Sequence, residues 1–290
     1  MIWPLPVKPE TAVVIGAFLI LFLLETAFPL RRPKRARGPR FLVNLLVAAL
    51  SFGVGVAVVR PVALLGVAAY AQSHTFGLLP WSGLPFWVQA ALGFLWMDFT
   101  FYWWHRLNHV RPLLWRFHNV HHIDPDMDVS TAFRFHFVET FYSTAFRVLQ
   151  VGVAGIVPFT YLLYELIFNL CTMFHHSNLR LPLALERLLN LVIVTPRMHG
   201  VHHSAVGAET NSNYSVVLRW WDCFHRTLRL NVPQNEIIIG VPGYLLPKDN
   251  TLLHLLALPF MRPRAYWRWP GGKASFRSPG TVTNPRVMLD

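Results

Sequence analysis

Residues 11–30 (TAVVIGAFLILFLLETAFPL) carry a single charge, Glu25, and run into RRPKRARGPR at 31–40, with the six cations Arg31, Arg32, Lys34, Arg35, Arg37 and Arg40. At about 1.5 Å of rise per residue, a helix of that length matches the roughly 30 Å hydrocarbon core of a bilayer. A segment so apolar has few folding options besides a spanning helix. Only Lys8 offers a basic residue ahead of it and no Ala-x-Ala site follows, so a retained anchor is expected rather than a signal peptide. The cations behind it place the loop in the cytoplasm by the positive-inside rule.

Composition points the same way: 53% of the 290 residues are hydrophobic, 14% are charged, and the mean hydropathy is +0.37, which is too apolar for a soluble domain of this size. The net charge of +12 collects beside apolar runs instead of forming a stripe interleaved with stacking aromatics. Anionic lipid headgroups, not nucleic acid, are the expected partner. Cys171 and Cys223, far apart, give no disulfide framework and no cysteine-based zinc site.

Further apolar stretches cover residues 41–59, ended by Arg60-Pro61, and 85–104, with 62–84 between them read as an interfacial segment and turn. Residues 139–174, broken by Gly155 and Pro158, fit two short spans folded as a hairpin. The expected fold is an all-α integral membrane protein of about four to five transmembrane helices with a cytoplasmic-side helical, histidine-rich domain. It divides into a transmembrane anchor region at 1–84, a core at 85–230 that includes the hairpin, and a C-terminal cytoplasmic or interfacial segment at 231–290. Within the last, LLHLLALPF at 252–260 beside Arg262 and Arg264 suits a membrane surface.

This topology brings three histidine groups to one face: His105-x-x-x-His109, His118-x-x-His121-His122 and His199-x-x-His202-His203. On a helix, residues three and four apart share a side, so each group aims its imidazoles at one point. Neutral imidazoles with few carboxylates suit Fe, Zn or Cu and not Mg or Ca. Eight ligands exceed what one ion takes, which implies a dinuclear centre. Iron activating oxygen is the first reading. Zinc hydrolysis is the competitor, although no His-Glu-x-x-His pattern supplies a general base. A structural metal in a lipid-binding scaffold, or a haem or metal-transport site, is the remaining alternative; a transporter would place its ligands near the bilayer midplane and not at span exits.

Trp96, Asp98, Tyr102, Trp103, His105, Arg106, His109, Trp115, Phe117, His118, His121-His122 and Arg134-x-His136-x-x-Glu139 resemble the fatty acid hydroxylase and sterol desaturase superfamily. His176-Ser177-Asn178, Pro196-Arg197-Met198-His199, His202-His203-Ser204, Asn213-Tyr214 and Trp221-Asp222 continue the likeness over about residues 90–228. The resemblance implies an integral membrane non-haem di-iron oxygenase that uses O2 and electrons from a separate redox protein to hydroxylate, or desaturate, an unactivated C–H bond of a lipid. It also implies His105, His109, His118, His121, His122, His199, His202 and His203 as metal ligands, with His176 as a ninth. His175, about 100° away on the same helix, is expected to bind no common ion. His136 is either a ligand or a hydrogen-bond partner of one; Glu139, Asn178 and Asp222 are candidates for the latter role. His225 departs from the family pattern and is read as a local contact.

Asp98 lies seven residues before His105, nearly two helical turns, so the two share a face. Its carboxylate either holds the free nitrogen of a liganding imidazole or pairs with Arg106 or Arg134. No haem-domain, flavin or nicotinamide motif occurs, so reducing equivalents have to come from another protein. A bacterial inner membrane and the endoplasmic reticulum both fit the topology.

Overall fold

The computed structural model describes residues 9–277 and 286–288; residues 1–8 of the anchor region and 278–285 and 289–290 of the C-terminal segment lie outside the described residues. The main elements are α1 (Pro9–Ala27), α2 (Arg37–Val54), α3 (Phe86–Val110), α4 (Pro112–His122), α5 (Phe137–Ala154) and α6 (Pro158–His176). Shorter helices follow as α7 (Leu183–Leu189), α8 (Pro196–His202), α9 (Trp220–Phe224) and α10 (Leu252–Ala257). Among the described residues, β-pairing is confined to isolated bridges such as Pro29 with Leu179, so the chain is all-helical. Two stretches, Pro9–Ala27 and Arg37–Trp81, are long and apolar enough to cross a membrane by length and composition.

The second stretch corrects the sequence reading, because Arg60-Pro61 does not end it. α2 passes into a π-helical Gly55–Ala68 and then into Ala69–His74. Proline lacks an N–H and its ring clashes with the carbonyl four residues back, a conflict that the wider π turn relieves around Pro61. The rod from Arg37 to His74 is on the order of 55 Å long, well beyond a hydrocarbon core. Its first two turns belong to a polar base: buried Arg40 pairs with Asp124 at 2.8 Å and with Asp128, and the Asn44 amide donates to Asp124 and Ser130.

At the opposite end, Gly155 closes α5 in the left-handed region (φ +72°) against Gly77 (φ +107°). A Cβ on either would overlap the other loop's backbone, so both positions require glycine. Between the two ends, Ala63, Leu64 and Ala68 pack against Met97, Val151, Ala154, Tyr161 and Tyr164; small side chains let these helices approach closely. Inside this apolar layer Arg147 of α5 pairs with Glu165 of α6 at 2.9 Å.

The base holds the histidine helices in place. Buried Glu25, at the end of α1, accepts from the amides of Val129 (3.1 Å) and Asn178 (2.8 Å) and pairs with Arg37. Arg134, fully buried, donates to the Val120 carbonyl (2.9 Å), Asn44 (2.8 Å) and Asn250 (2.6 Å). These bonds fix the segment after α4 against α1 and α2, which in turn fixes the direction in which α4 presents its imidazoles.

Candidate metal centre

Four helix ends deliver the histidines. α3 carries His105 and His109 in its last two turns; α4, opened by Pro112 at its first position, ends on His118, His121 and His122. α6 ends on His175 and His176, and α8, again opened by proline, carries His199 and His202 with His203 as its C-cap. Eight of these side chains form two groups, His105, His109, His122, His202 and His121, His176, His199, His203, with the ligand atoms of each group within 4.8 Å of one another. The groups adjoin: the His122 and His203 rings stack at 4.4 Å.

In the second group the Nε2 atoms of His121 and His176 lie 3.0 Å apart, those of His176 and His199 3.0 Å, and those of His199 and His203 3.2 Å. Adjacent ligands on an octahedral ion with metal–nitrogen bonds of about 2.1 Å are about 3.0 Å apart, so the spacing fits a cation between them. In the first group both ring nitrogens of His109, and the Nε2 atoms of His122 and His202, are buried with no hydrogen-bond partner among the described residues. Buried orphan nitrogens at this density are costly unless something binds them.

Several rings are oriented from behind by hydrogen bonds from Nδ1, which leave Nε2 free to point inward. His105 donates to the Tyr214 carbonyl (2.8 Å), His202 to Ser212 (2.7 Å) and His176 to Thr172 (2.8 Å). His118, whose Nδ1 donates to Glu139 at 2.8 Å, belongs to neither group of four. Its ring sits between them, 4.9 Å from His109 and His122 and 5.4 Å from His121.

Three expectations are corrected. His136 is neither in the cluster nor bonded to it: its Nδ1 accepts from the Val138 amide, capping α5, and its Nε2 donates to the Leu256 carbonyl. The side chain of Asn178 exchanges hydrogen bonds with the main chain of Arg31 and touches no imidazole in doing so. Asp98 does not reach His105 and pairs with neither Arg106 nor Arg134; it accepts from the Leu218 amide (3.0 Å) and the Trp221 indole (2.8 Å). Asp222 accepts from the amides of Tyr214 (2.9 Å) and Ser215 (2.8 Å) and from Thr227 (2.6 Å). Both aspartates therefore hold the loop whose carbonyls orient His105 and His202, a backbone contribution that no residue type signals. His175 stands in neither group of four, although its ring lies 4.1 Å from that of His199.

Burial dominates the electrostatics. It pushes His202 down to about 3, against the opposing pull of its bond to Ser212. Burial and then neighbouring imidazoles hold His121, His122, His199 and His203 well below the ordinary histidine value. At neutral pH these rings are uncharged, the form that binds metal. Phe135 stacks on His121 at 4.5 Å and Trp115 lies 4.9 Å from His109, so aromatic walls keep water from the rings.

Such a chain is an apolar helical protein with a buried polyhistidine centre at its helix ends. The fatty acid hydroxylase family model matches residues 90–227, which include all ten clustered histidines. The chain is 31% identical to an ornithine lipid hydroxylase of Rhizobium tropici over 70% of its own length and 59% of that protein's. It is 30% identical to an alkylglycerol monooxygenase of Danio rerio over 98% of its own length and 62% of that protein's. A cholesterol 25-hydroxylase-like protein of Danio rerio matches at 31% identity over 45% of the chain and 51% of the relative. Residues 90–227, the part that carries the histidines, thus group with the fatty acid hydroxylase family. It spans about half to three-fifths of the length of these relatives. No solved structure matches it.

Proposed function

We propose that the protein is a membrane-embedded lipid hydroxylase whose two groups of four imidazoles would each hold one iron, with the Nε2 of His118 available as a further ligand to one of them. The observation that carries this reading is the pair of adjoining four-nitrogen groups, free of carboxylates and built from neutral rings. Bound there, two irons supply the activation of O2, so that one oxygen atom enters a lipid C–H bond and the other leaves as water, with two electrons and two protons provided from outside. The protein's own part is to fix the ligands. Glu139 sets the His118 tautomer, the Ser212 and Tyr214 carbonyls set those of His202 and His105, and Asp98 and Asp222 hold the loop that carries them.

Lipid as the substrate is supported by the apolar helices and by the relatives, named for an ornithine lipid, an alkylglycerol and a sterol. α1, α2, α3 and the α5–α6 hairpin are the spans of a multi-pass topology in this reading. Arg31, from the loop that positive-inside asymmetry assigns to the cytoplasm, reaches the α8 region by donating to the Pro196 carbonyl, which supports a cytoplasmic histidine face. Electrons come from a separate redox protein on that side. The test is oxygen provenance: membranes containing the wild-type protein, supplied with 18O2, yield a lipid carrying one labelled hydroxyl, and membranes with His122→Ala do not. Label entering only from H218O, with a cleaved lipid, would move the assignment to zinc-dependent hydrolysis.

A further inference from the structure

The loop 31–40 does more than set orientation. With Pro125, Asp126, Met127, Asp128, Asn178, Ile237 and Ile239 it encloses a cleft lined by Arg31, Arg32, Lys34, Arg35, Arg37 and Arg40. Both acids are already occupied. Asp126 accepts from the amides of Lys34 and Arg35 at 2.8 Å each, and Asp128 is taken by Arg40 and Ser130. Arg37 pairs with Glu25, and Arg35 donates to the Leu245 carbonyl.

Three cations remain in excess. Arg32 and Lys34 are exposed and make no side-chain hydrogen bond among the described residues. Arg31 spends Nη2 on Pro196 and Gln234, while its Nε and Nη1 are buried without a partner. Two guanidinium nitrogens left without partners favour an acceptor beside the loop, in addition to the nearby Glu186 carboxylate, and the guanidinium fork suits phosphate oxygens. The cleft lies three residues past Phe28, which ends the apolar α1 region and is 55% exposed, and Ile237 and Ile239 give it an apolar wall. Basic clusters directly after a spanning helix meet the headgroups of anionic lipids.

We propose that this cleft holds the phosphate of an anionic membrane lipid, with Arg31, Arg32 and Lys34 as donors, and that the bound lipid fixes the loop against α8. The second half follows from packing: the Arg31 guanidinium lies directly over Gly200, between His199 and His202, where no Cβ fits. Anchoring Arg31 thus steadies the helix that presents the third histidine group. The inference rests on the membrane placement in the proposed function and not on its redox chemistry.

The test reads binding without turnover. Full-length protein in a neutral detergent is titrated with short-chain phosphatidylglycerol, short-chain phosphatidylcholine or inorganic phosphate, and the unfolding midpoint and tryptophan fluorescence are followed. Phosphatidylglycerol is expected to raise the midpoint saturably, and the other two are not. Removing exposed cations in Arg32→Gln/Lys34→Gln, which leaves the buried Arg31 and hence the fold intact, weakens that binding by roughly fivefold per charge. Arg111→Gln/Arg262→Gln, a control removing two exposed charges elsewhere, leaves it unchanged. A response to inorganic phosphate equal to that to phosphatidylglycerol, an equal loss in the control pair, or no saturable response at all would overturn the proposal. Because no product is measured, that failure leaves the oxygenase reading standing.

Discussion

Gly200→Ala sets two physical effects against each other. Gly200 sits inside α8, where exchanging glycine for alanine ordinarily favours the helix by about 1 kcal/mol. The new Cβ, however, would occupy the place of the Arg31 guanidinium. Displacing that group breaks its hydrogen bonds to the Pro196 carbonyl and the Gln234 side chain. Bonds involving a charged group contribute about 1.5 kcal/mol each at the low end of their range, so the loss is about 3 kcal/mol and the net effect about 2 kcal/mol of destabilisation. For a chain of this size that lowers the unfolding midpoint by roughly 4 °C. The assay is thermal unfolding in detergent of wild type, Gly200→Ala, Arg31→Ala and the double variant. In the Arg31→Ala background the clash is gone and only propensity remains, so Gly200→Ala should there be neutral or stabilising. A single Gly200→Ala variant as stable as wild type would refute the packing argument.

Other expectations concern the centre itself. Glu139→Ala should weaken metal retention against a chelator by about 10- to 100-fold, with Glu139→Gln, which keeps an acceptor for His118, in between; equal retention in all three proteins would remove Glu139 from the account. Asp222→Ala should reduce metal content more than Asp98→Ala, because Asp222 binds the amides at Tyr214 and Ser215 beside the orienting carbonyls whereas Asp98 binds farther along at Leu218; the reverse order in metal analysis would contradict this. The metal-free protein should lose stability as pH falls. The buried rings have folded pKa values below the unfolded value of about 6.5, so below that value the unfolded chain binds more protons and stability falls with pH; for His202, lowered to about 3, the fall continues down to that pH at about 1.4 kcal/mol per pH unit. Denaturant unfolding of apoprotein between pH 8 and 5 checks the sign, and a midpoint that rises towards pH 5 would show it to be wrong.

What was legible in the sequence is what local geometry determines. Spacings of three and four residues put imidazoles on common helix faces, and the structure gathers eight of the nine expected side chains into two groups. The same arithmetic set His175 apart, and it stands in neither group, although its ring still packs 4.1 Å from that of His199. It also put Asp98 and His105 on one face without revealing that the carboxylate's partners lie 120 residues on, at Leu218 and Trp221. His136 and Asn178 stand in family-like motifs, yet their side chains satisfy main-chain groups in α5 and the post-α1 loop. Pro61 read as a break because a sequence does not announce the π turn that absorbs it. The carbonyls of Ser212 and Tyr214 were beyond reach altogether, since every residue has one.

The central claim is that each group of four imidazoles holds one iron. Metal analysis with Mössbauer spectroscopy on protein grown with labelled iron tests it directly, using His122→Ala to open the first group and His199→Ala to open the second. The account predicts about two irons per chain in the wild type, in a coupled pair, with binding impaired in each variant. One tightly held zinc and no iron, or iron content indifferent to both substitutions, would contradict it.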